Sequence, residues 1–138
     1  MTQSPLLEFE SSDFAVIPGE DQATNPGIYG KALAEWLADQ LRAAGLPAGS
    51  VIAEDFGWCV PVAAPPHQLY VACASTEEAP NEWRVFAYAE GGLAARLLGK
   101  DNRAASLASL FTAVRTCLES HPKVRGLREE PLDAELGR

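Results

Sequence analysis

Residues 25–47 carry the most complete set of local signals in the chain, and they predict a long amphipathic helix. Asn25 is a favoured N-cap residue, and Pro26 suits the first helical position because its missing N–H would have no partner there. Gly45 suits the left-handed residue that follows a helix, and Pro47 stops its continuation. Apolar residues recur at steps of three and four: Ile28, Ala32, Leu33, Trp36, Leu37, Leu41 and Ala44. A helix with one such stripe must bury it against another element.

A second segment near the C-terminal end shows the same kind of pattern. Asn102 is its predicted N-cap, and Pro122 limits its end to about Ser120. Its apolar stripe consists of Leu107, Leu110, Phe111, Val114, Cys117 and Leu118. A pair of glycines precedes it, and Leu93–Leu98 predicts a short helical turn. This second helix also needs a surface on which to bury one face.

The stretch between the two helices changes to strand patterns. Four runs rich in β-branched, aromatic and alternating apolar residues are separated by glycine, proline or acidic turns: Val51–Phe56, Trp58–Ala63, Gln68–Ser75 and Glu82–Glu90. Gly57 marks a bulge or tight turn between the first two, and an acidic loop over residues 76–81 separates the last two. Such short connections favour an antiparallel meander.

Two further strands flank this arrangement. Leu7–Ile17 predicts a first strand, either whole or in two pieces broken at residues 11–13, and Val124–Leu127 predicts a final edge strand. The predicted fold is α+β, with an antiparallel sheet of about five to six strands and two long helices on one face. The order is β-α-β-β-β-β-α-β. We expect one domain over residues 1–130 and a frayed tail over residues 131–138.

Charge is distributed unevenly along the chain. The net charge is −8, but residues 1–90 carry 13 acidic and 3 basic side chains, whereas residues 91–138 carry 6 acidic and 8 basic ones. An acidic chain disfavours nucleic acid and anionic membranes as partners, because both are bound by Lys and Arg. The acidity serves solubility alone, or it steers the chain toward a basic protein.

The cysteines predict a reducing compartment. Cys59, Cys73 and Cys117 are an odd, widely spaced set, which argues against a disulfide framework and favours buried, reduced thiols in the cytoplasm. The first residues are acidic rather than basic, unlike a presequence, and no apolar run is long enough to span a bilayer. The chain has no closely spaced set of three or four Cys and His ligands, so we expect no metal and no cofactor.

The most distinctive segment is Glu54–Cys59, in which two carboxylates precede a glycine between two aromatic residues. Glu54, Asp55 and Trp58 are candidate binding residues if the turn holds a carboxylate beside the indole. The alternative is a structural turn in which Asp55 bonds to local backbone. Trp83 and Tyr88, in the last strand of the meander, complete the candidate set, since an outward-facing aromatic residue is a natural interface anchor.

Two motifs carry a resemblance. The chain resembles small bacterial single-domain proteins of unknown function in the segment Asn25-Pro26-Gly27-Ile28-Tyr29-Gly30, which opens a helix, and in Glu54-Asp55-Phe56-Gly57-Trp58. In size and acidity it is also similar to the immunity proteins that neutralise bacterial toxins. The second resemblance implies a basic protein partner.

Three functional hypotheses follow from these patterns. The first is a non-enzymatic protein that binds a basic partner protein, as immunity proteins do. The second is a small-molecule-binding domain or enzyme with its pocket near Glu54, Asp55, Trp58 and Tyr88. The third is a homodimer built on an exposed sheet face or edge strand. No catalytic residue is assigned, so the sequence favours binding over catalysis.

Overall fold

A computed structural model describes residues 2–76, 81–90 and 103–131. The strands are β1 (Thr2–Gln3), β2 (Leu6–Glu10), β3 (Ile52–Glu54), β4 (Gly57–Ala64), β5 (His67–Ser75), β6 (Glu82–Ala89) and β7 (Arg125–Glu130). The helices are α1 (Lys31–Ala43) and α2 (Arg103–Glu119), with a short 3-10 helix at Glu20–Gln22. The predicted α+β class and element order are confirmed.

The strands form one antiparallel sheet in the order β3-β4-β5-β6-β2-β7. β1 pairs with β6 through Thr2 and Ala89, and β2 pairs with the same strand through Leu7 and Val85. These two segments therefore occupy one position, and the sheet has six positions. The four central strands form the expected meander, and β7 is the edge strand next to β2.

Both helices pack on the same face of the sheet, α1 against β4 and β5 and α2 against β6. Their buried residues agree with the predicted stripes at Leu33, Leu37 and Leu41 and at Leu107, Leu110, Val114 and Leu118. From the sheet, the core receives alternate residues of β2, β4, β5 and β6: Leu7, Phe9, Trp58, Val60, Val62, Leu69, Val71, Cys73, Trp83, Val85, Ala87 and Ala89. The second face of the sheet is therefore turned away from the helices.

The first strand does not run to Ile17: it breaks at residues 11–13, as the two-piece alternative predicted, but the second piece does not form. The first piece ends at Glu10: the Ser11 N–H still donates to the Asn81 carbonyl at 2.9 Å, in register with β6, but the Ser11 carbonyl accepts the Trp83 indole N–H at 3.0 Å. Phe14 then packs into the core rather than alternating along a strand. The residues that follow, up to Ile17, lie outside regular structure.

Helix α1 begins at Lys31, six residues beyond its predicted cap, so the assignment of Asn25 as N-cap is wrong. The Asn25 amide instead donates to the Asp55 carbonyl at 2.9 Å. The cap is the carboxylate of Glu20, whose Oε2 accepts the backbone N–H groups of Gly30 at 3.0 Å and Lys31 at 3.1 Å. A carboxylate at this position satisfies unpaired N–H groups and interacts favourably with the helix dipole.

The C-terminal end of α1 agrees with the prediction. Gly45 has a φ of 90° and donates its N–H to Arg42, and the N–H of Leu46 donates to the Leu41 carbonyl at 2.9 Å. These two bonds are the pattern of a Schellman ending. Four further predictions lie outside the described residues: most of the acidic loop before β6, the turn at Leu93–Leu98, the cap Asn102, and all but the first residue of the tail.

Candidate functional site

The sheet face turned away from the helices, called the open face below, is the candidate site. Within the described residues neither helix packs on it. Strand alternation places one row of mostly apolar residues across it: Ile52, Cys59, Ala72, Phe86 and Leu6. The next row on one side contains Pro61, Tyr70 and Tyr88. The next row on the other side contains Glu54, Ala74, Arg84, Glu8 and Arg128. A band of apolar and aromatic residues thus lies beside a row that carries most of the charges of this face.

Four aromatic rings form a cluster in the middle of this face. Tyr70 and Tyr88 stack with their centroids 5.1 Å apart, and Phe86 lies 5.9 Å from Tyr88. Phe56, from the turn between β3 and β4, contacts both Tyr88 at 5.9 Å and Phe86 at 6.4 Å. Its side chain remains 44% exposed, whereas Tyr88 is only 6% exposed. Phe56 therefore covers part of the cluster and presents its own ring to solvent.

The turn that carries Phe56 is held against β5 by the residue that follows it. Gly57 has a φ of 154°, and a Cβ at this position would lie 2.5 Å from the carbonyl oxygen of Cys73. A side chain there would collide with backbone, so only glycine lets the turn approach β5 so closely. The bond from Asn25 to the Asp55 carbonyl holds the same turn from its other side.

Cys59 and Tyr88 form a buried pair beneath the aromatic cluster. The Cys59 Sγ lies 3.6 Å from the Tyr88 hydroxyl oxygen, within hydrogen-bond distance for sulfur. Burial raises the pKa of Cys59 to about 11, and the negative charge of Glu54 adds to the effect. Burial likewise raises the pKa of Tyr88, with further contributions from Cys59 and Glu54. Both groups are therefore protonated and neutral at physiological pH.

Two carboxylates lie on either side of the tyrosine pair. Burial raises the pKa of Tyr70, and the charge of Glu90 and its hydrogen bond to the tyrosine raise that pKa further. Glu54 also acts on Tyr70, as it does on Tyr88 and Cys59. Glu54 is exposed, and among the residues that the structure describes it has no cationic partner. Its carboxylate is therefore available to a ligand at the edge of the aromatic cluster.

The opposite side of the open face holds a chain of ion pairs. Glu8 accepts from Arg84 Nε at 2.9 Å, and its other carboxylate oxygen lies 3.3 Å from Arg128 Nη2. Arg128 also lies 3.9 Å from Glu82 and 3.8 Å from Glu130. The charges of these arginines are balanced by glutamates of the same face.

A groove of about 180 Å³ lies between this ion-pair chain and Phe56. The small side chains of Ala72 and Ala74 form its floor, and the contacting rings of Phe56 and Phe86 together form one wall. Its remaining lining residues are Leu6, Ile28, Ser75 and Arg84. A groove with apolar walls and a floor of alanines has the shape to receive an apolar side chain or a small apolar molecule.

The five residues predicted as binding residues do not all meet. Glu54 and Tyr88 share the open face, and Asp55 is exposed in the turn next to it. Trp58 and Trp83 lie on the other face, in the core beneath the helices. Trp58 is 8% exposed, with the Lys31 ammonium 5.4 Å from its ring centroid, and Trp83 is 1% exposed. The predicted outward-facing tryptophan is thus absent at both positions.

Sequence reasoning missed Phe56, Tyr70, Phe86 and Arg84. The signal for part of this set was present, because Phe86 and Tyr88 are two residues apart in one strand and must share a face, whereas Trp83 cannot join them. Phe56 lies in a turn, where alternation does not fix the direction of a side chain.

A second cleft, of about 480 Å³, brings Asp13, Ser120 and His121 together near Trp36. His121 Nε2 lies 3.0 Å from Asp13 Oδ2, and its Nδ1 accepts the Lys123 N–H at 3.0 Å. The Ser120 hydroxyl donates to the Cys117 carbonyl at 2.9 Å. Both imidazole nitrogens are thus engaged and neither bonds to the serine, so this is not a nucleophile–base pair.

Within the described ranges, no group of three or more His, Cys, Asp or Glu side chains is arranged to hold a metal ion. No helix in the same part of the chain has the length and apolar character needed to cross a membrane. No protein-family model matches this chain, and neither a curated protein nor a solved structure matches it. A function is therefore inferred from the open face itself.

Proposed function

We propose that this chain is a non-enzymatic protein-binding domain that contacts a basic partner protein through the open face of its sheet. The observation that carries the proposal is the exposed ring of Phe56 on an apolar sheet face. A sheet normally buries an apolar face against another layer, and a large exposed aromatic residue is a typical interface anchor.

The apolar part of the face supports a macromolecular partner. Phe56 is 44% exposed and Ile52 is 38% exposed; Ile52 belongs to the row of apolar residues on the open face, and Phe56 lies beside that row. Tyr70 and Phe86 are partly exposed beside them. A cluster of exposed apolar side chains surrounded by polar residues is characteristic of protein interaction sites.

The charges around this band support a basic partner. By strand alternation and cross-strand register, six glutamates and three arginines lie on the open face or at its ends: Glu8, Glu10, Glu54, Glu82, Glu90, Glu130, Arg84, Arg125 and Arg128. Arg84 and Arg128 balance part of this charge through Glu8, and Arg125 lies opposite Glu10. The remaining excess of carboxylates would attract a cationic surface and repel nucleic acid.

The thiols support a binding role in a reducing compartment. Cys59, Cys73 and Cys117 are all free, and burial raises the pKa of each one. A protonated thiol is a poor nucleophile, which argues against cysteine catalysis. We place the protein in the cytoplasm, where thiols remain reduced, and propose neutralisation of a basic protein, as by immunity proteins, as its role.

Site-specific photo-cross-linking in the native cells tests the proposal. A benzophenone amino acid replaces Phe56 on the open face or, as a matched control, Glu35 on the exposed side of α1. We expect a discrete adduct with a basic protein from position 56 and none from position 35. Adducts from position 35 alone, or adducts only between two copies of this chain, would contradict it.

The groove beside Phe56 supports a second candidate function, the binding of a small apolar ligand in its volume of about 180 Å³. A ligand of that size would be found by native mass spectrometry of the protein purified from its own cells. A bound small molecule at one equivalent, together with the absence of any protein adduct at position 56, would favour this candidate over the first.

A further inference from the structure

The chemistry of the open face restricts which residue types of a partner protein would bind there. The restriction comes from three features of this face: the groove, the carboxylate of Glu54, which pairs with no cation among the described residues, and the ion-paired arginines on the far side. This inference rests on the proposed protein-binding function and specifies the partner's contact residues.

The groove accepts one large apolar side chain. Its floor is formed by Ala72 and Ala74, which leave space, while the contacting rings of Phe56 and Phe86 together form one aromatic wall. Arg84 borders the groove with its guanidinium bonded to Glu8 at 2.9 Å, so it offers no uncompensated charge. An apolar anchor inserted here would be surrounded by carbon on most sides, as interface hot spots are.

Glu54 supplies the complementary charge. It lies in the same cross-strand row as Gly57 and Ala74, two strand spacings from the groove floor, which corresponds to about 10 Å. Among the described residues no cation pairs with it, in contrast to Glu8 on the other side. A basic side chain reaching Glu54 would also lie near the exposed ring of Phe56, two residues along the same turn, where cation–π attraction adds to the ion pair.

The distance between the two subsites fixes the spacing in the partner. In a bound strand, residues two positions apart lie about 7 Å from each other. In a bound helix, residues three or four positions apart lie about 5–6 Å from each other. In either case a long Lys or Arg side chain covers the rest of the distance between the groove and Glu54. We infer that the partner presents a large apolar residue with a Lys or Arg two to four positions away, the first bound in the groove over Ala72 and Ala74 and the second at Glu54.

Defined peptides test this pairing. The probe is acetyl-Gly-Phe-Gly-Gly-Arg-Gly-amide, and its controls replace the Arg with Gln or the Phe with Ser. Binding is followed by amide-shift titration in NMR spectra of the whole protein. We expect the Gln peptide to bind about threefold more weakly than the probe, as for a partly exposed ion pair. We expect the Ser peptide to bind about tenfold more weakly or worse, because the anchor is lost.

Protein variants assign each peptide residue to its subsite. Glu54→Gln should reduce binding of the Arg peptide to the level of the Gln peptide and leave the Gln peptide unchanged. Its control is Glu10→Gln, which removes the same charge on the same face, away from the groove. Ala74→Leu should fill the groove and weaken both Phe peptides about tenfold. Its control is Ala63→Leu, an exposed alanine of the same face outside the groove.

The outcomes separate this inference from the function on which it rests. If the spectrum of Ala74→Leu loses its dispersion, the variant is unfolded, and the smaller substitution Ala74→Val replaces it in the same titrations. Unchanged binding to a folded Ala74 variant, or equal effects of Glu54→Gln on the Arg and Gln peptides, would overturn the inference. A cross-linked partner at position 56 without an apolar–basic pair would also overturn it while leaving the proposed function standing. No adduct at position 56 would overturn the function itself.

Discussion

Phe56 packs edge to face on Tyr88, with ring centroids 5.9 Å apart and an interplanar angle of 71°. The contact joins a turn residue that is 44% exposed to a strand residue that is 6% exposed. Tyr88 in turn lies over Cys59, at 3.6 Å between hydroxyl and sulfur. Phe56 therefore has two roles. Its inner side covers Tyr88 of the buried Cys59–Tyr88 pair, and its outer side is exposed on the open face.

Truncation of this ring should affect binding far more than stability. We expect Phe56→Ala to lower the free energy of unfolding by about 1 kcal/mol, since the ring is half exposed, and to weaken partner binding about tenfold or more. Urea denaturation and a binding titration measure the two effects. Ile17→Ala is the control, because Ile17 is 54% exposed and lies in the loop before the 3-10 helix. A similar loss of affinity in both variants would contradict the prediction.

Gly57 should be one of the least replaceable residues in the chain. In Gly57→Ala the new Cβ would meet the Cys73 carbonyl oxygen at 2.5 Å, in addition to an unfavourable φ of 154°. We expect a loss of about 3 kcal/mol in urea denaturation. Gly45→Ala is the matched control, since its φ is also positive but nothing lies within 4 Å, and should lose about 1 kcal/mol. Equal losses would show that the close approach to β5 is unimportant.

Helix α1 should depend on Glu20 for its start. Glu20→Ala removes the acceptor of three backbone N–H groups, those of Gly30 and Lys31 at the helix start and that of Ile17, so we expect a loss of about 1–2 kcal/mol. Glu35→Ala, on the exposed side of the same helix, should change the unfolding free energy by less than about 0.5 kcal/mol. A smaller effect at Glu20 than at Glu35 would contradict the assignment of the cap.

Alkaline pH should destabilise the fold through Cys59 and Tyr88. The pKa of Cys59 is raised from 9.0 to about 11 in the folded protein, so the folded state holds its proton more tightly than the unfolded state does. The stabilisation is fully present below about pH 9 and is lost as the pH rises toward 11. For Cys59 alone the loss is about 1 kcal/mol by pH 10. The raised pKa of Tyr88 acts in the same direction.

Urea denaturation between about pH 8 and 10.5 measures this dependence. Cys59→Ala should show a shallower decline than the wild type, because one of the titrating groups is gone. Val60→Ala provides a control, since it also opens a cavity in β4 but removes no titratable group, and its decline should equal that of the wild type. A decline in Cys59→Ala as steep as in the wild type would contradict the role of the thiol.

The parts of the fold that sequence could predict are those fixed by short-range rules. The stripe of α1 and its end at Gly45 depend on residues within one or two turns, and the meander follows from short loops between alternating runs. The start of α1 could not be predicted in this way, because Glu20 reaches it across ten residues of irregular loop. Asn25 is a residue type that often caps helices, but it lies in the loop six residues before the first residue of α1.

The candidate site was predicted only in part for a similar reason. Alternation fixes that Glu54 and Tyr88 point away from the neighbouring tryptophans, but which face receives the helices depends on packing of the whole sheet. The groove needs residues from β2, β5 and β6 and from the two loops that carry Ile28 and Phe56. A local sequence pattern cannot predict a groove that is formed by segments far apart in the chain.

The most direct test of binding on the open face is hydroxyl-radical footprinting of the wild-type chain with and without the partner that cross-linking identifies. Phe56, Val16 and Ile17 are all 44–54% exposed in the free chain, so the latter two serve as internal controls. We expect oxidation of Phe56 to fall about fivefold or more in the complex, as for a buried anchor, with Val16 and Ile17 unchanged. Protection of Val16 and Ile17 with Phe56 still fully oxidised would contradict binding through the open face.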